Sequence, residues 1–164
     1  MRRFLSLVIL GLNLAACSGS RADLSQAPSF ELQDLSGKNV SLADFKGHPV
    51  LLDFWATWCG PCRISTPAVQ AFYNRHKQEG LVVLGLNMDD DRQAVFPFVQ
   101  QFQLTYPILH AGESSVGSDY GVGALPTFVF VDPQGRLVTK YDGFSTDMPN
   151  TWEAELRQLL NQSH

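Results

Sequence analysis

Hydrophobic positions along the chain follow two rhythms. Val50-Leu51-Leu52-Asp53-Phe54-Trp55 is almost continuously apolar, and so are Leu81 to Leu86 and Thr127 to Val131. Runs this short, rich in Val, Leu and Phe, predict strands buried on both faces. Between them the spacing changes to three and four. Ile64, Ala68, Ala71, Phe72 and Arg75 keep that period after Cys62, as do Val95, Phe98, Val99 and Phe102. Trp152, Leu156, Leu159 and Leu160 repeat it near the end. Each set predicts an amphipathic helix. Pro97 must then sit in the first turn of its helix or kink it. Phe30 to Leu42 reads as a short hairpin turning at Ser36-Gly37-Lys38-Asn39. Asp132-Pro133-Gln134-Gly135, with Pro second and Gly fourth, is a turn joining Thr127–Val131 to a strand at Leu137–Asp142. Strands alternating with helices, then a hairpin and a helix, predict an α/β domain with a mixed sheet.

At 164 residues, with 45% hydrophobic and 17% charged residues, the chain is long enough for one packed domain and too apolar for disorder. The 12 basic and 16 acidic residues form no basic stripe, which argues against nucleic acid as a partner. The first residues differ from the rest. Arg2 and Arg3 precede an apolar stretch from Phe4 to Leu12, followed by Asn13-Leu14-Ala15-Ala16-Cys17. A basic start, a short apolar stretch and small residues read as a secretory signal. Leu14-Ala15-Ala16-Cys17 resembles the lipobox of bacterial lipoproteins. That resemblance implies a signal peptide over 1–16, a lipidated Cys17 as new N-terminus, and anchorage to a membrane facing the periplasm or cell surface. An ordinary signal peptide is the alternative. Ser18 after the Cys, rather than Asp, would direct an enteric-type lipoprotein to the outer membrane. Residues 17–26 are small and polar and suit a tether, leaving 27–164 as the domain.

Three cysteines are odd for an exported chain. With Cys17 assigned to lipid, Cys59 and Cys62 remain as a pair in an oxidising compartment. A structural disulfide, half of a metal site and a redox centre are the readings open to such a pair. The first would restrain little of the unfolded chain, because the loop it closes is so short. The second lacks a further Cys or His pair at ligand spacing. A Cys-x-x-Cys directly after a buried strand and opening a helix favours the third. Cys59 would lie at the helix N-terminus, where free backbone N–H groups and the helix dipole favour a thiolate. Cys62, one turn further, would be shielded and could resolve a mixed disulfide by attacking the Cys59 sulfur. Pro61 presets a helical φ where no N–H is needed.

Trp58-Cys59-Gly60-Pro61-Cys62 is similar to the thioredoxin signature. Together with Ala27-Pro28-Ser29-Phe30-Glu31-Leu32 and Leu42-Ala43-Asp44-Phe45-Lys46-Gly47, it resembles the exported TlpA-like and ResA-like branch over roughly Ala27 to Leu160. The N-terminal stretches are shared with peroxiredoxins. Those carry a Thr-x-x-Cys site, and here Thr57 precedes Cys59 by only two residues. The resemblance implies a thioredoxin-like fold: a central mixed β-sheet flanked by helices on both faces, with an extra N-terminal β-hairpin. It implies that Pro67 lies inside the active-site helix and that Leu125-Pro126-Thr127 is a substrate-binding loop with a cis proline facing the dithiol. Trp58, Gly60 and Pro61 would share in substrate contact. Asp53, six residues before Cys59, matches the family's buried acid. It should have a raised pKa and could take the proton of Cys62. Two positions depart from the pattern. Ser65 stands where exported members often carry Glu. Gly85 stands where cytoplasmic thioredoxins place a Lys near the buried acid, so Asp53 would lack a cationic neighbour.

The remaining candidates read as structure. His48, His76, His110 and His164 are scattered and fit surface or loop positions. Asp89-Asp90-Asp91 lacks the glycine and distal Glu of a calcium loop and fits a solvated loop. Trp55 and Trp58 are partly core, and Phe96, Phe98 and Phe102 fit helix packing. The expected activity is extracytoplasmic thiol–disulfide exchange, in the direction of disulfide reduction, with Cys59, Cys62 and Asp53 catalytic. The expected partners are protein disulfides and an upstream electron-donor thiol protein. No organic cofactor or metal is needed, and a monomer is expected. A disulfide oxidase or isomerase is the alternative within redox chemistry, and a non-catalytic lipoprotein binding a metal or partner is the alternative outside it.

Overall fold

Strand β3 (Val50–Trp55) is the middle of a five-stranded sheet, and all six of its residues are buried. A computed structural model describes residues 25–161. The expected signal segment 1–16, the expected lipidation site Cys17 and the expected tether as far as residue 24 lie outside the described residues, as does His164. Because side chains alternate along a strand, β3 feeds two cores. Leu51 and Trp55 point into one, and Val50, Leu52 and Phe54 into the other. Asp53 falls on the Leu51–Trp55 side by the same alternation.

The sheet reads β5 (Ile108–His110), β4 (Val82–Asn87), β3, β6 (Thr127–Val131), β7 (Leu137–Asp142). β4 and β5 run parallel to their inner neighbours, whereas β6 and β7 run antiparallel. The turn at Asp132 closes as expected, with the Gly135 N–H donating to Asp132 O at 2.8 Å. The N-terminal hairpin pairs β1 (Glu31–Gln33) with β2 (Asn39–Ser41). Ser25 and Gln26, at the end of the expected tether, already pair with β7: the Leu137 N–H donates to Ser25 O, and Gln26 bridges to Arg136.

Helices lie on both faces, as the resemblance implied, but unequally. The Leu51–Trp55 face carries α1 (Gly60–His76), α2 (Val95–Phe102) and α4 (Met148–Asn161) through Val69, Phe72, Phe98, Trp152 and Leu156. The other face carries the hairpin, a 3-10 turn over Leu42–Phe45 and the single-turn α3 (Val116–Asp119). Pro97 sits in the first turn of α2, where its missing N–H would have had no partner.

One expected helix face is corrected. Ile64, Ala71 and Arg75 are exposed, and Ile64 is 66% exposed. The buried stripe of α1 is Cys62, Ser65, Thr66, Val69, Gln70, Phe72 and His76. Ser65 and Thr66 are satisfied locally, donating to Cys62 O at 3.1 and 2.7 Å, whereas the Gln70 amide exchanges hydrogen bonds with Thr105 at 2.9 and 2.8 Å. His76 is likewise buried, not a surface residue. Its Nδ1 lies 3.1 Å from Glu79 Oε2. Its Nε2 lies 2.9 Å from Glu153 Oε2, an ion-pair distance without hydrogen-bond alignment.

Candidate active site

Two cysteines meet where β3 hands over to α1. Cys59 is the N-cap of α1 in an extended conformation, Gly60 and Pro61 open the first turn, and Cys62 follows. The pair forms a disulfide with S–S 2.03 Å and Cα–Cα 5.2 Å. The Cys62 backbone N–H donates to Cys59 Sγ at 3.1 Å, one of the otherwise unpaired donors of a helix start aimed at that sulfur. The two sulfurs differ in access. Cys59 retains 5% exposure and lines a cleft, whereas Cys62 has none and does not line it.

That cleft has a volume of about 620 Å³ and is lined by Trp58, Cys59, Gly60, Pro61, Met88, Val122, Gly123, Ala124 and Leu125, all uncharged. Trp58 is 71% exposed, so it stands over the cleft and is not a core residue; Trp55 is. The Leu125–Pro126 peptide is cis. Of the expected loop, only Leu125 lines the cleft. Pro126 and Thr127 are buried, and the Thr127 hydroxyl lies 2.8 Å from both Ala124 O and Asp142 Oδ1. Sequence reasoning missed Met88, Val122, Gly123 and Ala124, which come from the turns after β4 and α3. Their apolar character was visible, but only the tertiary fold brings them to the dithiol.

Asp53 is 1% exposed, and burial raises its pKa to about 7 against the small opposing pull of a hydrogen bond from Tyr106. The Tyr106 hydroxyl donates to Oδ2 at a long 3.4 Å, and Oδ1 has no partner among the described residues. The absence of a lysine at Gly85 has a steric cause. Gly85 pairs with Asp53 across β3 and β4, and a Cβ there would come within 2.7 Å of Ile108 Cδ1 and 3.0 Å of the Tyr106 and Trp55 rings. Tyr106 thus fills the space beside the acid with a neutral group. Its own hydroxyl is pushed well above its ordinary range by burial and then by the Asp53 charge. Ser65 is buried and points its hydroxyl at the helix backbone, so it offers no acid in place of the Glu of other exported members.

Among the described residues no three His, Cys, Asp or Glu side chains are gathered to hold a metal. Asp90 is exposed as a solvated loop residue would be, but Asp89 is only 4% exposed and faces inward.

Residues 24–140 match the model of the AhpC/TSA family. The chain belongs to that family. Within it, the chain is 38% identical over 122 residues to the thiol-disulfide oxidoreductase ResA of Bacillus thuringiensis (strain Al Hakam), covering 74% of this chain and 70% of that protein. It is 33% identical over 123 residues to ResA of Bacillus subtilis (strain 168), covering 75% and 69%. Among solved structures, a candidate thiol:disulfide interchange protein DsbE from Chlorobium tepidum superposes with a TM-score of 0.79 at 30% identity, covering 84% of this chain and 96% of that one. The thioredoxin domain of a thiol-disulfide oxidoreductase from Bacteroides vulgatus gives 0.74 at 31% identity, covering 84% and 99%. This family member is a thioredoxin-like thiol–disulfide oxidoreductase, with the two-stranded hairpin added before the core fold.

Proposed function

We propose that the protein is a membrane-anchored disulfide reductase working outside the cytoplasm. The unequal access of the two sulfurs carries the assignment of roles. The Cys59 thiolate, at the cleft and facing a helix N-terminus, attacks one sulfur of a substrate disulfide and expels the other as a thiolate. The covalent product is a mixed disulfide between Cys59 and the substrate. Cys62, shielded beneath, attacks the Cys59 sulfur and releases the second substrate thiol. Two electrons pass from the dithiol to the substrate, and the Cys59–Cys62 disulfide remains. Asp53, held near neutrality by burial on the α1 side of the sheet, takes the Cys62 proton as that thiol attacks. The substrate chain lies in the uncharged cleft between Trp58, Gly60 and Pro61 on one side and the Leu125-Pro126-Thr127 loop on the other. A second dithiol protein, acting upstream, restores the reduced state.

Reduction is favoured over oxidation because Cys-Gly-Pro-Cys is similar to the reducing thioredoxins. Export and anchorage rest on the basic and apolar start and on the Leu14-Ala15-Ala16-Cys17 lipobox resemblance, with Cys17 lipidated. Equilibration with glutathione or dithiothreitol tests the direction. A reduction potential near the ~−270 mV of thioredoxin is expected, and a value near the ~−120 mV of the strong periplasmic oxidant would make the protein a disulfide donor instead.

A further inference from the structure

Beyond the dithiol and its buried acid, one buried carboxylate has a place that general packing does not require. Asp89 lies two residues past the end of β4 and is 4% exposed. Its Oδ2 accepts the Thr57 backbone N–H at 2.8 Å, and its Oδ1 accepts the Thr57 hydroxyl at 2.5 Å. Asn87 Nδ2 donates to Oδ2 at 2.6 Å, and Asn87 Oδ1 in turn accepts the Asp89 N–H at 3.2 Å. Oδ2 takes two groups that can only donate, the Thr57 backbone N–H and the Asn87 amide, while the Thr57 hydroxyl at Oδ1 can donate or accept, so removing the side chain rather than amidating it releases Thr57. The backbone behind Asp89 is also fixed, because a Cβ on Gly112 would lie 2.2 Å from Asp89 O.

Thr57 is two residues before Cys59, on the short link between β3 and α1. That link has few other anchors. The Cys59 N–H closes a turn onto Ala56 O at 3.2 Å, and the Arg63 guanidinium reaches Thr57 O only at 3.5 Å. Trp58 cannot wedge the link in place, since it is 71% exposed. On the Asp89 side, the adjacent Met88 lines the same cleft as Cys59, and its N–H donates to Trp55 O at 2.8 Å.

We propose that Asp89 is a positioning residue for disulfide exchange: its buried carboxylate clamps Thr57 and thereby sets Cys59 and Trp58 against the Met88 wall of the cleft. The inference rests on the reading of Cys59 as the attacking sulfur. Exchange requires three sulfurs to come into line, so a small displacement of the link costs rate with a bound peptide far more than with a small reagent.

The test compares full-length wild type, Asp89→Ala, Thr57→Val and Thr57→Ser, all pre-reduced and held below their melting temperatures. Each is assayed with an oxidised dithiol peptide under recycling by dithiothreitol, uncatalysed reduction subtracted and kcat and KM separated, and, free of dithiothreitol, with iodoacetamide as a small probe of the Cys59 thiolate. Asp89→Ala should lose about tenfold or more in peptide kcat/KM while alkylation changes much less. Thr57→Val should lose an intermediate amount, and Thr57→Ser, which keeps both donors, should match wild type. If Asp89→Ala does not fold, the two Thr57 variants decide alone. A lowered melting temperature with unchanged peptide kinetics in both Asp89→Ala and Thr57→Val would overturn the proposal, as would equal losses for Thr57→Ser and Thr57→Val. If wild type and Cys59→Ser reduce the peptide equally, the underlying assignment of Cys59 has failed rather than the clamp.

Discussion

Asp53 shows how one residue ties stability to chemistry. Burial disfavours the charge and lifts its carboxyl from an ordinary 3.8 to about 7 in the folded chain. Between those values the folded protein holds a proton that the unfolded chain has released. Asp53 therefore costs nothing in acid, and its burial weakens the fold progressively as pH rises toward 7, with the full cost present above that. Asp53→Asn removes the cost. In urea melts the variant should gain stability relative to wild type on going from pH 4 to pH 8, by up to about 4 kcal/mol. A gain that does not change with pH would mean that Asp53 is not titrating in this range. This residue was legible from its offset to Cys59, and its elevated pKa from its place in an apolar run. Its actual neighbour was not legible, because Tyr106 comes from a loop 53 positions away and reaches the acid only after β5 docks beside β4.

At the scale of elements, α1 is the informative case. A period of three to four was correctly read as a helix, and Phe72 and Ala68 face the core as expected, but other members of the pattern do not. Ile64 and Ala71 face out, while Ser65, Thr66 and His76 face in. The hydroxyls bond to a carbonyl one turn back, so burial costs them little, and composition alone gives no sign of this. His76 joins the end of α1 to α4. Burial opposes its imidazolium, but the close carboxylates of Glu153 and Glu79 outweigh it, and the pKa is raised above 6.5. Arg75 on α1 also pairs with Glu153, and Arg157 of α4 borders a hollow lined by His76, Glu79 and Glu153. The raised value means that the stability from His76 is fully present below about pH 6.5 and is lost as pH rises through the folded pKa. His76→Gln should accordingly cost more at pH 5.5 than at pH 8.5, measured by denaturant midpoints at both pH values. An equal cost would leave His76 as packing alone. Two elements escaped the sequence reading altogether. β5 has three residues after Pro107, and α3 is a single turn, and both are too short for a periodic pattern to register.

For the whole molecule, the long apolar strands, the closing hairpin and the last helix were visible in the sequence, because each buries a continuous stripe. Order in the sheet was not. That β3 is central, with β4 parallel on one side and β6 antiparallel on the other, follows from packing two cores against opposite faces of one strand. The arrangement places the end of β3, the start of α1, the turn after β4 and the cis-proline loop at one edge, and so gathers the cleft around a single accessible sulfur. The central claim is that Cys59 attacks and Cys62 resolves. Trapping the intermediate tests it most directly. Pre-reduced Cys62→Ser and Cys59→Ser proteins are mixed with an oxidised peptide and read by intact mass spectrometry. A stable peptide adduct is expected on Cys59 in the Cys62→Ser protein and little in Cys59→Ser. Adduct formation mainly through Cys62, in the Cys59→Ser protein, would contradict it.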